Sequence, residues 1–160
     1  MNKSEFLSIT SGICSLISAW EPKLSELSEE IITQRRNSQD RTIKQIVGHM
    51  IDSASNNTHR IVHLHYQEGL LVFPNYATYG NNDRWIAIQR YQEEEWNNLI
   101  QLWKYSNLHI AHLIENADPS KLENQWQAGE GRLISMKEMI ASYLDHLRLH
   151  LSEINDLISS

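Results

Sequence analysis

Two histidines lie four residues apart near the end of the chain, in the stretch YLDHLRLHLSEI at residues 143–154. Side chains four residues apart on an α-helix lie on the same face, so His146 and His150 can converge on one point beside a row of leucines and isoleucines. Neutral imidazole is a frequent ligand of divalent transition metals. Two imidazoles leave such a site incomplete, so a third ligand has to come from elsewhere in the chain.

Spacing alone does not select this pair, because the chain has eight histidines. Other pairs are just as close in sequence: His59 with His63, His63 with His65, and His109 with His112. These pairs lie towards the ends of predicted helices, where a histidine is commonly solvated or interacts favourably with the helix dipole. Position on the helix therefore favours His146 and His150.

His49 is the candidate third ligand. It lies in an earlier predicted helix, where it begins a polar stripe that continues through Asp52, Ser53, Asn56 and Arg60. Such a stripe is usually the solvent-facing side of a helix, but here the histidines of the last helix offer it a partner. Three neutral imidazoles bind a divalent ion and leave at least one position open for water or substrate.

Polar residues beside these histidines are candidates for supporting roles. Three carboxylates either orient the imidazole rings through the second ring nitrogen or are ordinary solvated charges: Asp52, Asp145 and Glu153. Asn56 and Tyr143 are candidates for substrate contact. Arg60 is a further candidate, although a solvated arginine is the preferred interpretation there.

Four segments have the periodicity of amphipathic helices, at about residues 6–20, 42–65, 88–117 and 135–158. The first should end near Trp20, because Pro22 disfavours helical geometry in the residue before it. The second and fourth open with capping-box patterns, in which Thr42 and Ser135 are followed three residues later by glutamine and glutamate. No segment has the strict alternation of β-branched residues expected of half-buried strands.

Four such helices in 160 residues predict an all-α four-helix bundle in one domain, residues 1–160. Long connections are expected between the second and third helices, at 66–85, and between the third and fourth, at 119–133. Residues 70–84 would form a lid over the site, and Trp85 and Trp126 would be walls of a pocket. The remaining tryptophans and the single cysteine are expected in the core: Trp20, Trp96, Trp103 and Cys14.

Composition excludes several classes of function. A net charge of −6 without a basic cluster disfavours nucleic acid and anionic membranes as partners. A single cysteine excludes an intrachain disulfide and a cysteine-based zinc site. The first residues lack the apolar stretch of a signal peptide, and no segment approaches the roughly 20 apolar residues of a membrane span. We therefore expect a cytoplasmic protein.

Three stretches together resemble the DinB-like superfamily: IVGHMIDSASNNTHRI, NNDRW and DHLRLHLSEI. This superfamily includes the predicted metal-dependent hydrolases of the YfiT type and the bacterial thiol transferases. The resemblance implies an up-up-down-down four-helix bundle, with His49, His146 and His150 as ligands of zinc or nickel. It also implies a homodimer and, in some relatives, a low-molecular-weight thiol that the metal activates.

Two hypotheses for function follow. In the first, the protein is an enzyme whose open three-histidine site activates a small thiol or water against a small-molecule substrate. In the second, it is a non-catalytic metal-binding or stress-response protein whose ion is structural or absent. The chain contains neither the Glu-x-x-His motifs of di-iron bundles nor the His-Glu-x-x-His motif of zinc proteases, which excludes both of those chemistries.

Overall fold

The computed structural model describes residues 1, 3–78, 80–129 and 131–160. Tyr79 and Glu130, which fall in the two predicted connections, lie outside the described residues, as does Asn2. The described part contains six α-helices and one two-stranded antiparallel sheet: α1 (Lys3–Ser25), α2 (Glu29–Gln34), α3 (Ile43–Tyr66), α4 (Asn81–Gln89), α5 (Trp96–Glu115), β1 (Gln125–Gln127), β2 (Leu133–Ser135) and α6 (Met136–Ser159).

The four long helices, α1, α3, α5 and α6, form the predicted four-helix bundle. Helix α1 packs mainly on α5 and α6, and α3 packs on the same two helices from the other side. Going around the bundle, the order is therefore α1, α5, α3, α6. Two successive long helices, α1 and α3, lie diagonally opposite each other, and so do α5 and α6. Such an order needs crossover connections rather than short hairpin loops.

Apolar side chains from all four long helices meet in one core. Among the most deeply buried are Ile13 and Ile17 of α1, Ile46 and Met50 of α3, Ile100 and Trp103 of α5, and Leu147 and Leu151 of α6. Trp20, Trp96 and Trp103 are buried, as predicted. The indole nitrogen of Trp96 donates a hydrogen bond of 2.8 Å to the carbonyl of Leu24, which ties the start of α5 to the end of α1.

Both predicted capping boxes are present and begin the two helices that carry the histidines. The side chains of Thr42 and Ser135 accept hydrogen bonds from the backbone amides of Gln45 and Glu138, whose side chains accept in return from the capping residues' amides. Each box satisfies amides that the first turn of a helix leaves free. These local contacts define where α3 and α6 begin, and therefore where their later turns lie.

The predicted end of the first helix near Trp20 is wrong, because α1 continues through Pro22 to Ser25. Proline removes one helical hydrogen bond, its ring crowds the carbonyl one turn earlier, and it disfavours a helical neighbour, but packing can overcome these costs. Here Leu24 is fully buried in the core. Glu21, just before the proline, forms an ion pair of 2.9 Å with Lys104 of α5.

The predicted third helix, residues 88–117, is two helices in the structure. Helix α4 ends at Gln89, a single 3₁₀ turn spans Tyr91–Glu93, and α5 begins at Trp96. The break occurs at Arg90, whose φ of 54° lies in the left-handed region and ends the helical path. The turn that follows buries Tyr91 against α3.

The connections contain more structure than predicted. Helix α4 begins within the 66–85 connection, α2 lies between α1 and α3, and β1 pairs with β2 between α5 and α6, where the sequence shows no strand pattern. Strands of three residues are too short to show an alternating pattern. The backbone of Leu71 hydrogen-bonds to both neighbours of Trp126, which joins the two long connections to each other.

Two further findings concern exposure. Cys14 is exposed on α1, so its predicted place in the core is wrong. It follows the fully buried Ile13, and adjacent residues of a helix point about 100° apart.

No helix in the described residues is long and apolar enough to cross a membrane.

Candidate metal site

The three histidines singled out in the sequence lie together between the neighbouring helices α3 and α6. One ring nitrogen of each lies within 4.8 Å of those of the other two. His49 and His150 are each only 6% exposed, and His146 is half-buried. His49 follows the buried Ile46 on α3, while His146 and His150 flank the buried Leu147 on α6. Core packing of both helices therefore brings the imidazoles together.

The distances fit coordination of one divalent ion. The Nε2 atoms of His146 and His150 lie 3.1 Å apart. Two nitrogens bound to one zinc ion at about 2.1 Å and at the tetrahedral angle lie about 3.4 Å apart. The rings of His49 and His146 both meet the ring of His150 edge-on, with centroids 4.6 and 4.5 Å away. Three imidazoles in this arrangement suit a transition metal better than magnesium or calcium, which prefer oxygen.

Hydrogen bonds on the outer ring nitrogens of His49 and His150 direct the inner nitrogens towards the centre of the cluster. The hydroxyl of Tyr76 lies 2.6 Å from Nδ1 of His49, and the carboxylate of Glu153 accepts a hydrogen bond of 3.0 Å from Nδ1 of His150. In both rings this leaves Nε2 for the centre of the cluster. Such partners hold the ring of a metal-binding histidine in position and set its tautomer.

Electrostatics favour the metal-binding form of two of the three histidines. Burial, together with the nearby His150 and His146, lowers the pKa of His49 to about 2. Burial and the proximity of His150 lower the pKa of His146 to about 4. Both imidazoles are therefore neutral at pH 7, and only the neutral ring has a lone pair to give to an ion.

Asp52 does not contact His49, contrary to the predicted orienting role. Its Oδ1 accepts hydrogen bonds from the side chains of Gln89 and Tyr91, at 2.7 and 2.6 Å. Tyr76 takes the position on His49 that the sequence suggested for Asp52. Asp52 is almost fully buried, and this burial raises its pKa to about 6.

The other two carboxylates differ from each other. Glu153 contacts His150, as described above, and its side chain is 26% exposed. Asp145 is 76% exposed and pairs with Arg148 at 2.9 Å, so it lies on the solvent side of α6. The prediction that Asp145 supports His146 is therefore wrong, and the alternative of a solvated charge describes it.

A cavity of about 280 Å³ opens beside the histidines, and His49 and His146 form part of its wall. Further parts come from Arg60 on α3, Tyr76 in the 66–85 connection, Trp126 on β1 and Tyr143 on α6. The prediction that Trp126 is a pocket wall is thus confirmed. The cavity reaches one face of the triad, which gives a small molecule access to it.

Three of the other predicted positions differ in their surroundings. Tyr143 lines the cavity and donates its hydroxyl hydrogen to Asn107 at 2.8 Å. Asn56 is buried and donates to the carbonyl of Asp52, and the cavity is lined instead by its neighbour Asn57. Trp85 packs edge-on against the ring of Tyr76, with centroids 5.3 Å apart, and supports that residue from outside the cavity.

Comparisons with known proteins bear on the fold. No protein-family model matches the chain, and no curated protein matches it. Among solved structures, YfiT from Bacillus subtilis superposes with a TM-score of 0.83 over 98% of this chain and 87% of that one, at 13% sequence identity. The fold is that of YfiT. YfiT is described as a probable metal-dependent hydrolase with an unusual four-helix bundle topology.

This match confirms the predicted fold, an all-α four-helix bundle of the YfiT type. At 13% identity it concerns the backbone alone, and the site has to be judged from the side chains of this chain. Of those side chains, Tyr76 was missed in the sequence, and Arg60 was named as a candidate but interpreted as solvated. Tyr76 gave only a weak signal, as one aromatic residue in a long connection. Arg60 is 4% exposed, so the preferred interpretation of a solvated arginine is wrong.

Proposed function

We propose that this protein is a metal-dependent hydrolase that holds a divalent transition ion through His49, His146 and His150. One observation carries the proposal: three imidazoles converge within 4.8 Å at the wall of a cavity large enough for a small molecule. Buried histidines without such a purpose would be expected to bond to backbone or side-chain acceptors rather than to face one another.

The chemistry would follow from an incompletely filled coordination sphere. In the described residues the cluster holds three histidines, with no cysteine or carboxylate among its members. Structural zinc is usually closed by a fourth protein ligand, whereas catalytic zinc keeps a position for water. A bound divalent ion lowers the pKa of such a water towards about 7 and polarises a substrate carbonyl.

The surrounding side chains would position the ligands and shape the space for the substrate. Tyr76 and Glu153 hold the rings of His49 and His150 with their inner nitrogens free. Trp126 gives the cavity an aromatic wall and Tyr143 adds a second ring, which favours an apolar substrate body. At about 280 Å³ the cavity is at the small end of the range for ligand sites, so the substrate would be small.

Finer points of the proposal come partly from the DinB-like resemblance, which implies zinc or nickel as the ion and a homodimer. A cytoplasmic location and a single domain over residues 1–160 come from the composition and the helix pattern of the sequence. A low-molecular-weight thiol would be the alternative nucleophile to water and would make the protein a thiol transferase. Each of these predictions can be measured independently of the others.

Metal analysis tests the binding step. Protein purified without a histidine tag, stripped with a chelator and reloaded with zinc or nickel, should retain about one ion per chain. His146→Ala should lose that ion, whereas His109→Ala, which alters an exposed histidine on α5, should retain it. Equal metal contents in all three proteins would contradict the assigned ligands.

Turnover tests the catalytic step. The reloaded protein should hydrolyse members of a panel of small esters and amides, and His146→Ala should not. A parallel panel with small thiols and an electrophile distinguishes thiol transfer from hydrolysis. A protein that binds one ion tightly but turns over no substrate in either panel would instead be the non-catalytic metal-binding protein of the second hypothesis.

A further inference from the structure

Arg60 is a buried cation in the wall of the cavity beside the three histidines. It is 4% exposed, and its guanidinium carbon lies 4.0 Å from the ring centroid of Trp126. The ring of Phe73 is also near, with its centroid 5.8 Å from the same guanidinium carbon. Arginine is rarely buried to this extent unless an anion accompanies it.

No such anion is supplied by the described part of the chain. The Nε and Nη2 atoms of Arg60 are buried and have no hydrogen-bond partner. No carboxylate among the described residues forms an ion pair with this side chain, and burial lowers its pKa only to about 10, so it stays charged at pH 7. Nε and Nη2 form one edge of the guanidinium plane, which is the fork that binds a carboxylate or phosphate with two parallel hydrogen bonds.

Two other buried donors also lack a hydrogen-bond partner. Trp126, which also lines the cavity and contacts the guanidinium, has a buried indole nitrogen without a partner. Asn75, next to the lining residue Tyr76, has a buried amide nitrogen without one. All of these groups are hydrogen-bond donors that lack acceptors among the described residues. A ligand rich in oxygen acceptors would supply them.

The position of Arg60 on α3 relates it to the triad. His49, Ser53, Asn57 and Arg60 follow one another at spacings of four, four and three residues, which is one face of a helix, and all four line the cavity. Helical side chains lean towards the amino-terminal end of their helix. The Arg60 side chain therefore leans along this face towards His49.

We propose that Arg60 binds a negatively charged oxygen group of the substrate, a carboxylate or a phosphate. The substrate class is then a small molecule with that anionic group at one end, an apolar or aromatic body against Trp126 and Tyr143, and the reacting group near the histidines. This inference rests on the proposed function for the reacting end. Binding of the anionic end depends on Arg60 and does not require a metal ion.

Calorimetric binding to the metal-free protein tests the inference, because stripping the ion removes a second cation that could attract an anion. Three probes of similar shape are compared: 4-phenylbutanoate, 3-phenylpropyl phosphate and the neutral 4-phenylbutanamide. At least one of the two anions should bind tenfold or more tightly than the amide. The relative affinities of the two anions show which oxygen group the site prefers.

Variants assign the preference to Arg60. Arg60→Met keeps an apolar stem against Trp126 and should abolish the preference for anions, whereas Arg60→Lys keeps the charge without the fork and should retain part of it. Arg148→Met is the matched control: it removes the same charge from an arginine whose side chain is 56% exposed, and it should bind the anions like the unaltered protein. If Arg60→Met fails to fold, the Arg60→Lys comparison decides.

Three results would overturn the inference: equal affinity for anions and amide, an anion preference that survives Arg60→Met, or no binding by any probe at millimolar concentration. Failure of the proposed function is a separate outcome. Arg60→Met should retain its metal ion, and an anion site at Arg60 would stand even if the metal-loaded protein hydrolysed nothing. Conversely, if the protein proved to be a hydrolase without a preference for anions, the anion site at Arg60 would be refuted and the proposed function would stand.

Discussion

Gly48, next to His49, leaves room for the ring of Tyr91 to lie against α3. A Cβ atom at position 48 would overlap Cγ and Cδ2 of that ring and would come within 2.6 Å of Cε2. The ring is held from its other end, because the Tyr91 hydroxyl donates to the buried Asp52. Tyr91 thus cannot make room for Gly48→Ala without losing this hydrogen bond.

Two effects of opposite sign determine the stability of Gly48→Ala. Replacing glycine by alanine inside a helix stabilises by about 1 kcal/mol. Overpacking a core costs about 1–3 kcal/mol, and loss of a hydrogen bond to a charged group costs about 1.5–3 kcal/mol. The sum is a net destabilisation of about 1.5–5 kcal/mol. In a Tyr91→Ala background the ring is gone, only the first effect remains, and Gly48→Ala should stabilise by up to about 1 kcal/mol.

Urea unfolding measures the effect of Gly48→Ala on the free energy of unfolding with and without the Tyr91 ring. It needs four proteins: the unaltered chain, Gly48→Ala, Tyr91→Ala and the double variant. The expected result is a change of sign between the two backgrounds, which a generally disruptive substitution would not show. A neutral or stabilising Gly48→Ala in the unaltered background would refute the reasoning. So would an equal loss of stability in both backgrounds.

Three further predictions concern the site and the helix that supports it. Tyr76→Phe removes the hydroxyl at His49 and should weaken metal affinity by about 10–100-fold, measured by competition with a chromogenic chelator. Because burial raises the pKa of Asp52 from 3.8 to about 6, the folded state binds a proton that the unfolded chain releases. Stability should therefore fall by about 3 kcal/mol as the pH rises from about 4 to about 6, and Asp52→Asn should flatten this part of the urea-unfolding profile. Ser135→Ala should cost about 0.5–2 kcal/mol by removing the cap of α6, whereas the exposed Ser152→Ala should change thermal stability much less.

Local sequence patterns predicted the elements that local contacts determine. The caps at Thr42 and Ser135 depend on residues three positions apart, and both were predicted correctly. The break at Arg90 was missed because it depends on Tyr91 packing against Gly48, more than 40 positions earlier in the chain. The continuation of α1 past Pro22 likewise depends on contacts with α5, which no local pattern contains.

In the candidate site, too, the features set by local spacing were predicted and those set by distant contacts were not. The spacing of His146 and His150 places them on one face of α6, and the polar stripe of α3 offered His49 as their partner, so the structure brings together three residues that the sequence had grouped. Tyr76 lies 27 residues from His49, and only the path of the connection brings the two into contact. The sequence also could not show that Arg60 is buried, because Trp126, which covers it, comes from a different connection.

The hydrogen bonds of Leu71 have a consequence for engineering. Its amide and carbonyl bond to the backbone on either side of Trp126, so the segment that carries Tyr76 and the hairpin that carries Trp126 are joined through their backbones. A loop graft intended to alter ligand preference should therefore exchange both segments together. Transplanting either one alone would break the backbone pairing that aligns them, even if every cavity residue were preserved.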